Sequence, residues 1–330
     1  NIDGARSGRT SSYDPNLQNI TAGHTEEGKL LRGVFYAQAD PSWDTKEAAF
    51  IELDFSQLEL RVLCALSGDP VMVDIFKRGL DLHAATAVLI ARAMGADPEE
   101  VRTYKARTGD NHPLRAPAKN INFGLVYGKH ASTLAKELGL SISETQKIID
   151  AILGAFKVMK AWRKARVQEA RRTGFVHTWW AGEPARRRPL WRIADQDDDA
   201  VRHAENAAVN SPIQGTASDF CLASIAAIVR WIIEEGVHAK LVLTVHDSVL
   251  LECAAYEVAR VYRKCREIMQ GWDCAGVPLV VDGKIGRSWG TSTETRDTGA
   301  EIVCLVPEGK QIIEVPWHEH LRMAGMSGRG

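Results

Sequence analysis

The chain has 330 residues, of which 45% are hydrophobic and 25% are charged. This length exceeds what one compact domain usually holds, and the hydrophobic share is enough for a sizeable core. The net charge of −1 excludes a chain that binds nucleic acid through its total charge, so any such surface must come from local basic clusters.

Several absences narrow the class further. The six cysteines form no C-x-x-C pair, which predicts reduced, buried thiols rather than a zinc site or disulfides. No apolar stretch is expected to reach the roughly 18 residues of a membrane helix, and no signal-peptide pattern is present. The chain begins with Asn1 rather than Met, so we expect it to be the carboxy-terminal part of a longer protein.

In chain order, the first half starts with a loop or extended segment over residues 1–30. Strand patterns follow at residues 31–37 and 48–54. Helical spacing then begins at Gln57 and first stops at Gly68-Asp69-Pro70. The predicted helical segments of this half cover residues 57–66, 71–110 (several short helices), 113–128 and 141–172.

The second half begins with residues 173–203, which interrupt the helical pattern with paired tryptophans, three arginines and an acidic run. We predict an irregular, charged excursion there. The elements predicted after it are a helix over 204–235, a hairpin of strands 241–245 and 249–253, a helix over 255–270 and a last strand over 277–285. The tail, 291–330, has no clear period. Strands at both ends of a helical stretch predict an α+β domain with a mostly helical subdomain inserted.

Two aspartates stand at the ends of apolar strands. Asp54 ends the run that begins at Ala48, and Asp247 lies in the turn between two very apolar strands. An ionised, unpaired carboxylate in such a place costs several kcal/mol, and a divalent cation is one of the few partners that compensates it. If the two strand ends are adjacent, the aspartates suit a pair of magnesium ions ~3.5–4 Å apart. The alternative for Asp247 alone is a turn residue that satisfies its own backbone.

A second pattern lies in the helix predicted over 113–128. Arg115, Lys119, Phe123 and Tyr127 are spaced by four and therefore share one helical stripe, while Gly128 fits the position after the helix end. Cations near a helix amino-terminus predict a triphosphate site, and the aromatic faces suit a base or sugar. The alternative is an ordinary amphipathic helix with two solvated cations and two core aromatics.

These motifs resemble those of family A DNA polymerases, the group of bacterial DNA polymerase I and its phage relatives. The similarity runs from about Gly8 to Trp289 in the family's order. Motifs A, B and C match Asp54–Arg61, Arg115–Gly128 and Val245–Asp247. The further matching blocks are Gly8–Ser12, Asp14–Ile20, Asp81–Ala87 and Asn210–Ala217.

The resemblance implies a right-hand architecture, with an antiparallel-sheet palm and a mostly helical fingers subdomain inserted into it. The implied parts are the end of the thumb and entry to the palm (1–30), the first palm part (31–66), the fingers (67–203), the second palm part (204–290) and an unassigned tail (291–330). Most of the thumb would precede Asn1. The chain alone is therefore expected to bind primer-template weakly and to extend it poorly.

The implied activity is template-directed DNA synthesis, in which deoxynucleotides are added to a primer 3′-hydroxyl by two-metal nucleotidyl transfer. The implied cofactor is a pair of Mg²⁺ ions, with Mn²⁺ as a substitute. The implied partners are primer-template DNA, dNTP and an amino-terminal remainder of the same polymerase, with no membrane. The expected location is the cytoplasm of a bacterium or of a phage-infected host.

The resemblance also implies roles for single residues. Asp54, Asp247 and the Phe55 carbonyl would hold the metals. The residues implied for the nucleotide are Gln57, Glu59, His83, Arg115, Lys119, Phe123 and Tyr127. Of these, Glu59 would exclude a ribose 2′-hydroxyl, while His83, Arg115 and Lys119 would contact the triphosphate, and Lys119 would also give a proton to pyrophosphate. Phe123 would pack on the sugar and discriminate against dideoxynucleotides, and Tyr127 would lie beside the templating base. The residues implied for primer-template are Arg9, Asn16, Gln18, Asn19, Asn210, Gln214 and His246.

The chain departs from the family pattern in three places. Ser248 stands where the family usually has Glu, which removes a third carboxylate, and Asn206 stands where relatives often carry Arg. Residues 173–203 are longer than the family's link. The divergent link and Ser248 favour a phage or phage-like source.

Rival interpretations remain open. A single-subunit phage-type RNA polymerase shares the His-Asp-Ser form of motif C, although Glu59 and Phe123 argue against it. A non-catalytic DNA-binding module is a second rival, and a metal-dependent NTPase is disfavoured because no G-x-x-x-x-G-K-[ST] loop exists. The basic stretch Lys157–Arg172 is either a solvated face or a contact for single-stranded template.

Overall fold

The computed structural model describes residues 9–14, 16–20, 25–308 and 311–326. The helices are α1 (Glu26–Gly33), α2 (Leu58–Ser67), α3 (Pro70–Lys77), α4 (Leu82–Ala93), α5 (Pro98–Thr108), α6 (Arg115–Val126), α7 (Ala131–Leu138), α8 (Ile142–Ala155), α9 (Lys157–Thr173), α10 (Asp198–Glu234), α11 (Val258–Gln270) and α12 (Trp317–Met326). The strands are β1 (Ala48–Phe55), β2 (Phe175–Trp180), β3 (Glu183–Pro189), β4 (Ala239–Val245), β5 (Ser248–Ala254), β6 (Val281–Gly286), β7 (Thr293–Asp297), β8 (Ile302–Glu308) and β9 (Gln311–Pro316).

The chain forms two compact units. The sheet unit comprises Asn1–Leu58, Ala217–Trp272 and Leu279–Gly330, and the helical unit comprises Glu59–Thr216 and Asp273–Pro278. Helix α10 contributes its first part to the helical unit and its second part to the sheet unit. The predicted α+β class, with an antiparallel sheet and a mostly helical inserted part, is confirmed.

The sheet unit is built on seven antiparallel strands in the order β4-β5-β1-β6-β7-β8-β9. Strand β1 lies between β5 and β6, and its register places Asp54 opposite Ser248 on one side and Asp282 on the other. Helix α11 packs on β1 and β6. The Tyr262 ring of α11 comes so close to β6 that a Cβ at Gly283 would lie 2.4 Å from it, so glycine is required there.

The strand predicted at 31–37 is wrong. Residues 26–33 form helix α1, whose first turn carries Glu26 and Glu27 and whose start is capped by Thr25, which accepts a hydrogen bond from the Gly28 N–H at 3.0 Å. Cap and acidic first turn together favour helix over strand. The following segment is joined to the rest of the sheet unit by an isolated bridge from Tyr36 to Ser288 and by the Gln38 N–H, which donates to Glu252 Oε1 at 2.6 Å.

The prediction that the strand over 277–285 is the last one is also wrong. Strand β6 is followed by β7, β8 and β9, which extend the sheet, and by α12. Thr295 fixes the first of these strands, because its hydroxyl lies 2.9 Å from the Tyr262 hydroxyl and donates to the Gly283 carbonyl at 2.8 Å. Arg263 adds a two-point ion pair with Asp297, at 3.0 and 3.1 Å.

A third prediction, in the helical unit, is also wrong. Residues 175–189, predicted as irregular, form the hairpin β2–β3. Its two-residue turn has positive φ at both positions, +50° at Ala181 and +87° at Gly182, which is the geometry of a type I′ turn. The hairpin docks on the first part of α10, where the Trp179 N–H donates to Thr216 Oγ1 at 2.8 Å.

One buried carboxylate caps two helices of this unit. Asp69 Oδ1 accepts from the first N–H groups of α3, at 3.1 Å from Val71 N and 3.4 Å from Met72 N. Asp69 Oδ2 accepts from the start of α9, at 3.0 Å from both Val158 N and Met159 N. A side chain that is 1% exposed therefore satisfies donors at two helix starts.

Helix α10 corrects one expectation drawn from the sequence. By length and composition it could cross a membrane, with 39% of its most apolar window buried. This is weak support for a span, because long helices in the cores of globular proteins have the same composition. Polar side chains interrupt its apolar surface, including Ser211, Thr216 and Ser224, which are all buried.

Candidate active site

The structure brings together the two aspartates in the sheet unit. Asp54 lies at the end of β1, and Asp247 lies in the two-residue turn between β4 and β5, next to the strand position opposite Asp54. The Phe55 N–H donates to the Asp247 carbonyl at 3.2 Å, which joins the two strand ends directly. His246, the other turn residue, has a φ of +53°. The two strand ends adjoin, which meets the condition on which the pairing of Asp54 with Asp247 depended.

The electrostatics of this pair favour a bound cation. Loss of hydration at the strand end, reinforced by repulsion from Asp247, Glu52 and Asp282, raises the pKa of Asp54 to about 7, although its side chain keeps part of its contact with solvent. Burial also raises the pKa of Asp247, although the charges of Arg9 and His246 oppose the shift. Two carboxylates that are held close together and lose hydration are both ionised only when a positive charge compensates them.

The residues present fit Mg²⁺. The two carboxylates and the Phe55 carbonyl are oxygen donors, which this ion prefers, and Asp54 is solvent-accessible while its neighbours Leu53 and Phe55 are buried. Among the described residues, no group of three or more His, Cys, Asp or Glu side chains could hold a metal. The other ligands would therefore be backbone carbonyls, water or substrate phosphates.

Cys221 is a neighbour of the pair that sequence reasoning missed. Its thiol lies 3.7 Å from the His246 carbonyl, and burial together with the negative charge of Asp247 and Asp54 raises its pKa to about 12. The thiol therefore stays protonated and can donate to the turn that carries Asp247. The sequence gave no hint of this contact, because Cys221 is not part of a C-x-x-C pair and lies 25 residues before His246.

Several residues predicted for primer-template lie in the sheet unit. Arg9 is 3.9 Å from the Asp247 carboxylate. Gln18 donates to Thr10 Oγ1 at 2.8 Å and to the Thr244 carbonyl at 2.9 Å, so the amino-terminal segment is tied to β4. Thr10 and Thr244 were not singled out in the sequence.

Asn16 and Asn19 belong to the same amino-terminal segment, and both are exposed. Asn16 Oδ1 caps the short 3₁₀ turn Leu17–Asn19, accepting from the Gln18 N–H at 3.2 Å. Gly8 and Pro15, which are part of the matching blocks, lie outside the described residues.

Gln57 lies between β1 and α2 with a φ of +54°. Its side-chain oxygen is buried and has no hydrogen-bond partner among the described residues. A buried amide oxygen without a partner is rare in folded proteins and is consistent with a ligand that would supply the missing donor.

The predicted triphosphate stripe lies in the helical unit, on α6. Arg115 stands at the first residue of the helix, as predicted, and its Nε donates to Asp81 Oδ2 at 2.7 Å. Burial opposes ionisation of Asp81, but the hydrogen bonds and charge of Arg115 outweigh it and lower the pKa of this carboxyl. Asp81 in turn caps α4. Lys119 is exposed.

His83 lies against this stripe as a buried, neutral imidazole. Burial lowers the pKa of His83 to about 4; Asp81 opposes this shift, and Arg115 and Lys119 favour it. Its Nδ1 lies 3.0 Å from Asn122 Nδ2, which is a donor, so Nδ1 accepts and Nε2 carries the proton. The prediction that His83 contacts phosphate stays open, but at neutral pH the side chain offers an N–H and no positive charge.

Asn122 and Thr86 were missed in the sequence, although they hold His83. The Thr86 hydroxyl lies 3.1 Å from Asn122 Oδ1 and 2.9 Å from the Leu82 carbonyl. The three hydrogen-bonded side chains, His83, Asn122 and Thr86, are each at most 5% exposed. Two signals in the sequence could have found them. Thr86 follows His83 by three residues and so lies on the same face of its helix, and Asn122 is a polar residue between apolar positions of the next helix.

The aromatic end of the stripe is joined to Glu59. The rings of Phe123 and Tyr127 stack with centroids 6.1 Å apart. The Tyr127 hydroxyl donates to Glu59 Oε2 at 2.7 Å, and Glu59 is 4% exposed. The structure therefore connects Glu59 to the same stripe within the helical unit.

Asn210 and Gln214 lie on α10 and line a pocket of about 480 Å³ together with Tyr127. The Asn210 side-chain oxygen is buried and has no partner among the described residues. Gly128 forms one wall and has a φ of +72°, and a Cβ there would lie 1.9 Å from Asn206 Oδ1. The positive φ favours glycine at this position, and any larger residue would also displace the Asn206 side chain.

The sequence is similar to that of known polymerases over most of its length. The model of DNA polymerase family A matches residues 1–291. The chain is 36% identical over 285 residues to DNA polymerase I of Pseudomonas aeruginosa, covering 86% of this chain and 29% of that protein. It is 34% identical over 287 residues to thermostable DNA polymerase I of Thermus aquaticus, covering 87% and 31% respectively.

Among solved structures, the fold is similar to the POL domain of Pol1 from M. smegmatis, in complex with DNA primer-template and dNTP. The TM-score is 0.76 at 31% identity, over 88% of this chain and 47% of that one. The expected polymerase fold class is thereby confirmed. The chain spans about a third of the length of the curated relatives named above, and residues 292–330 lie beyond the family match.

Proposed function

Because the chain belongs to DNA polymerase family A, we propose that it carries out template-directed DNA synthesis, adding deoxynucleotides to a primer 3′-hydroxyl. The observation that carries this proposal is the pair of aspartates, Asp54 and Asp247, at adjoining strand ends of the sheet unit. The sheet unit would be the palm, the helical unit the fingers, and the segment before α1 the entry to the palm.

Asp54, Asp247 and the Phe55 carbonyl would hold two Mg²⁺ ions, or Mn²⁺ in their place. When bound, such ions lower the pKa of the attacking hydroxyl and neutralise phosphate charge. The protein itself positions the reacting groups, and no covalent enzyme intermediate is required. Ser248 has no carboxylate to offer a metal ion. Its hydroxyl donates to the Val245 carbonyl at 2.9 Å across the turn.

The residues of the α6 stripe would bind the incoming dNTP. Arg115 and Lys119 would supply positive charge for the triphosphate, and Lys119 would also donate a proton to the leaving pyrophosphate. His83 supplies a neutral Nε2–H, and Gln57 has an unsatisfied side-chain oxygen. Fixed donors and cations of this kind stabilise the charge that develops in the transition state.

Sugar and template would be read at the aromatic end of the stripe. Glu59, held by Tyr127, would exclude a ribose 2′-hydroxyl, and Phe123 would pack on the deoxyribose. The primer-template contacts would come from Arg9, Asn16, Gln18, Asn19, Asn210, Gln214 and His246. The proposed location is the cytoplasm of a bacterium or of a phage-infected host, as part of a longer polymerase.

The test is Mg²⁺-dependent incorporation of a single nucleotide, with the chain in excess over primer-template. Asp247→Ala should reduce incorporation by about a thousandfold, since the charge that holds the metals is lost. Binding of primer-template should persist. Asp44→Ala removes the same charge from an exposed position and serves as the control.

Three outcomes would decide against the proposal. Incorporation that survives Asp247→Ala would contradict the two-metal assignment. Preference for ribonucleotides over deoxynucleotides would favour an RNA polymerase. Binding of primer-template without any incorporation by the unaltered chain would favour a non-catalytic DNA-binding module.

A further inference from the structure

A third acid stands beside the two aspartates of the candidate active site. Asp282 lies on β6, and the register of β6 against β1 places it directly opposite Asp54. Ser248 of β5 occupies the equivalent position on the other side of Asp54. Residues that are directly opposite in an antiparallel pair lie on the same face of the sheet, with their Cβ atoms about 4.5–5.5 Å apart. The side chains of Asp54 and Asp282 are therefore neighbours.

Both carboxylates lie on the solvent-facing side of the sheet. Asp54 and Asp282 are exposed, whereas the residues immediately before and after each of them are buried. The charge of Asp282 acts on Asp54, together with the charges of Asp247 and Glu52. Like charges that are directly opposite destabilise a sheet, and water screens this repulsion only in part. Two acids at this register therefore cost stability unless a cation lies near them.

The other acids on this part of the sheet have basic partners. Arg32 lies 3.8 Å from Glu52, and Arg9 lies 3.9 Å from Asp247. Within residues 9–14, 16–20, 25–308 and 311–326, by contrast, Asp282 forms no ion pair. The charge of Asp282 is thus not compensated by the side chains that the structure describes.

Two basic residues come close to Asp282 in sequence or register, but each of them faces another acid. Lys284 is directly opposite Glu52. Arg296 would be the next residue of β7 to face Asp282, but the ladder between β6 and β7 stops one residue short of it. Arg296 is paired with Glu314 of β9 instead. A cation from solution is therefore the remaining way to balance the charge of Asp282 within this part of the sheet.

We propose that Asp282 is a positioning residue for the metal ion at Asp54, and that it acts through water bound to that ion. This inference rests on the proposed function, because it concerns the Mg²⁺ ions assigned to Asp54 and Asp247. Direct coordination by all three acids is excluded, since no three acids among the described residues could hold one ion. Mg²⁺ usually keeps several of its waters, which a carboxylate outside the coordination shell can orient. The negative charge of Asp282 also strengthens binding of the ion, whereas Ser248 has no charge to contribute.

The test measures binding of Mn²⁺ to the chain without DNA or nucleotide, by electron paramagnetic resonance of the unbound ion. The relevant binding is the part that Asp54→Asn removes. Asp282→Asn should weaken this binding about fivefold, because one negative charge close to the ion is lost. Asp282→Glu keeps the charge and should restore most of the affinity.

The matched control is Asp44→Asn, which removes the same charge from an exposed position in the loop before β1. Strand β1 separates this loop from Asp54 by about 20 Å, which exceeds the distance over which salt screens exposed charges. The control should bind Mn²⁺ as tightly as the unaltered chain.

The stability of the metal-free chain should change in the opposite direction. In the presence of EDTA, Asp282→Asn removes the repulsion from Asp54 and should raise the unfolding temperature by about 1–2 °C. Addition of Mn²⁺ should then stabilise Asp282→Asn less than the unaltered chain, because the variant binds the ion more weakly. A residue that only supports the sheet would lower the unfolding temperature in both conditions.

Three results would overturn the role of Asp282. They are an unchanged Mn²⁺ affinity in Asp282→Asn, an equal loss of affinity in Asp44→Asn, and a lower unfolding temperature of Asp282→Asn in EDTA. Failure of the proposed function would appear separately, as absent Mg²⁺-dependent incorporation by an unaltered chain whose Mn²⁺ affinity still depends on Asp282.

Discussion

At the scale of single residues, the hydrogen bond between Tyr127 and Glu59 links two functions that the sequence assigned separately. Glu59 is buried, and the Tyr127 hydroxyl at 2.7 Å fixes one oxygen of its carboxylate. A carboxylate that excludes a hydroxyl group by position has to be held firmly, because a mobile side chain would yield to the substrate. Tyr127 would therefore affect sugar selection as well as the template.

Tyr127→Phe removes this hydrogen bond and keeps the ring. We expect the preference for dNTP over rNTP to fall about fivefold, corresponding to one hydrogen bond of about 1 kcal/mol, and Glu59→Ala to lower it much further. The measurement is the ratio of kcat/KM values for the two sugars. Tyr104→Phe, another tyrosine of the helical unit, should change nothing. If Tyr127→Phe keeps the full preference for dNTP, the hydrogen bond from Tyr127 to Glu59 does not contribute to the exclusion of rNTP.

His83 predicts a dependence of stability on pH. Its pKa is about 4 in the folded protein and 6.5 in an ordinary environment, so between these values the unfolded chain binds a proton that the folded chain does not. The free energy of unfolding should therefore decrease as the pH falls from 6.5 to 4, by at most about 3 kcal/mol from this residue.

The measurement is urea unfolding of the unaltered chain and of His83→Gln at several pH values. Glutamine can accept the hydrogen bond from Asn122 but does not titrate. The difference in slope between the two proteins isolates the histidine from the other titrating groups. Parallel curves across this pH range would show that His83 is not held neutral.

At the scale of elements, Asp69 determines how α3 and α9 begin. One carboxylate accepts four N–H groups from two helices that are far apart in the sequence. Asp69→Ala should lower the free energy of unfolding by about 3 kcal/mol, because two helix caps are lost and buried donors remain unsatisfied. Asp97→Ala, which removes the exposed cap of α5 alone, should cost about 1 kcal/mol.

Chemical denaturation of both variants gives the comparison. Equal losses for the two aspartates would show that the contact with α9 adds nothing to stability. Asp69→Asn keeps one acceptor oxygen and should fall between the unaltered chain and Asp69→Ala, since one of the two helices keeps its cap.

The elements that the sequence predicted well are those whose pattern depends on local burial. Strands β1 and β5 are apolar because they are central and buried, and α6 has its stripe and the glycine that follows it. The β2–β3 hairpin was missed because β3 is almost entirely exposed and charged. The signal lay in Gly182 of its turn, since Ala-Gly between two short segments permits positive φ.

At the scale of the whole molecule, the sequence predicted the polymerase fold, but it left the adjacency of Asp54 and Asp247 as a condition and did not predict the strands of the tail. Strand β7 consists of Thr, Glu, Arg and Asp residues, so it has no apolar alternation and its composition is that of a polar loop. Its place depends on Tyr262 and Arg263 of α11, which are distant in sequence. The neutral state of His83 was missed for the same reason, because burial depends on packing from several elements.

Removal of the tail should therefore damage the sheet unit. A chain ending at Gly290 loses the ladder between β6 and β7 and the five buried apolar side chains of the tail, Ile302, Val303, Cys304, Val315 and Leu321. Their burial suggests a loss of several kcal/mol in the free energy of unfolding, and the bare edge of β6 should promote aggregation. Activity per folded molecule should persist, because β6 stays between the bare edge and β1.

The measurements are thermal unfolding, light scattering and single-nucleotide incorporation. Ile312→Lys, on an exposed position of the outermost strand, is the control and should change stability by no more than about 0.5 kcal/mol. An unchanged unfolding temperature for the shortened chain would show that the tail strands do not support the sheet.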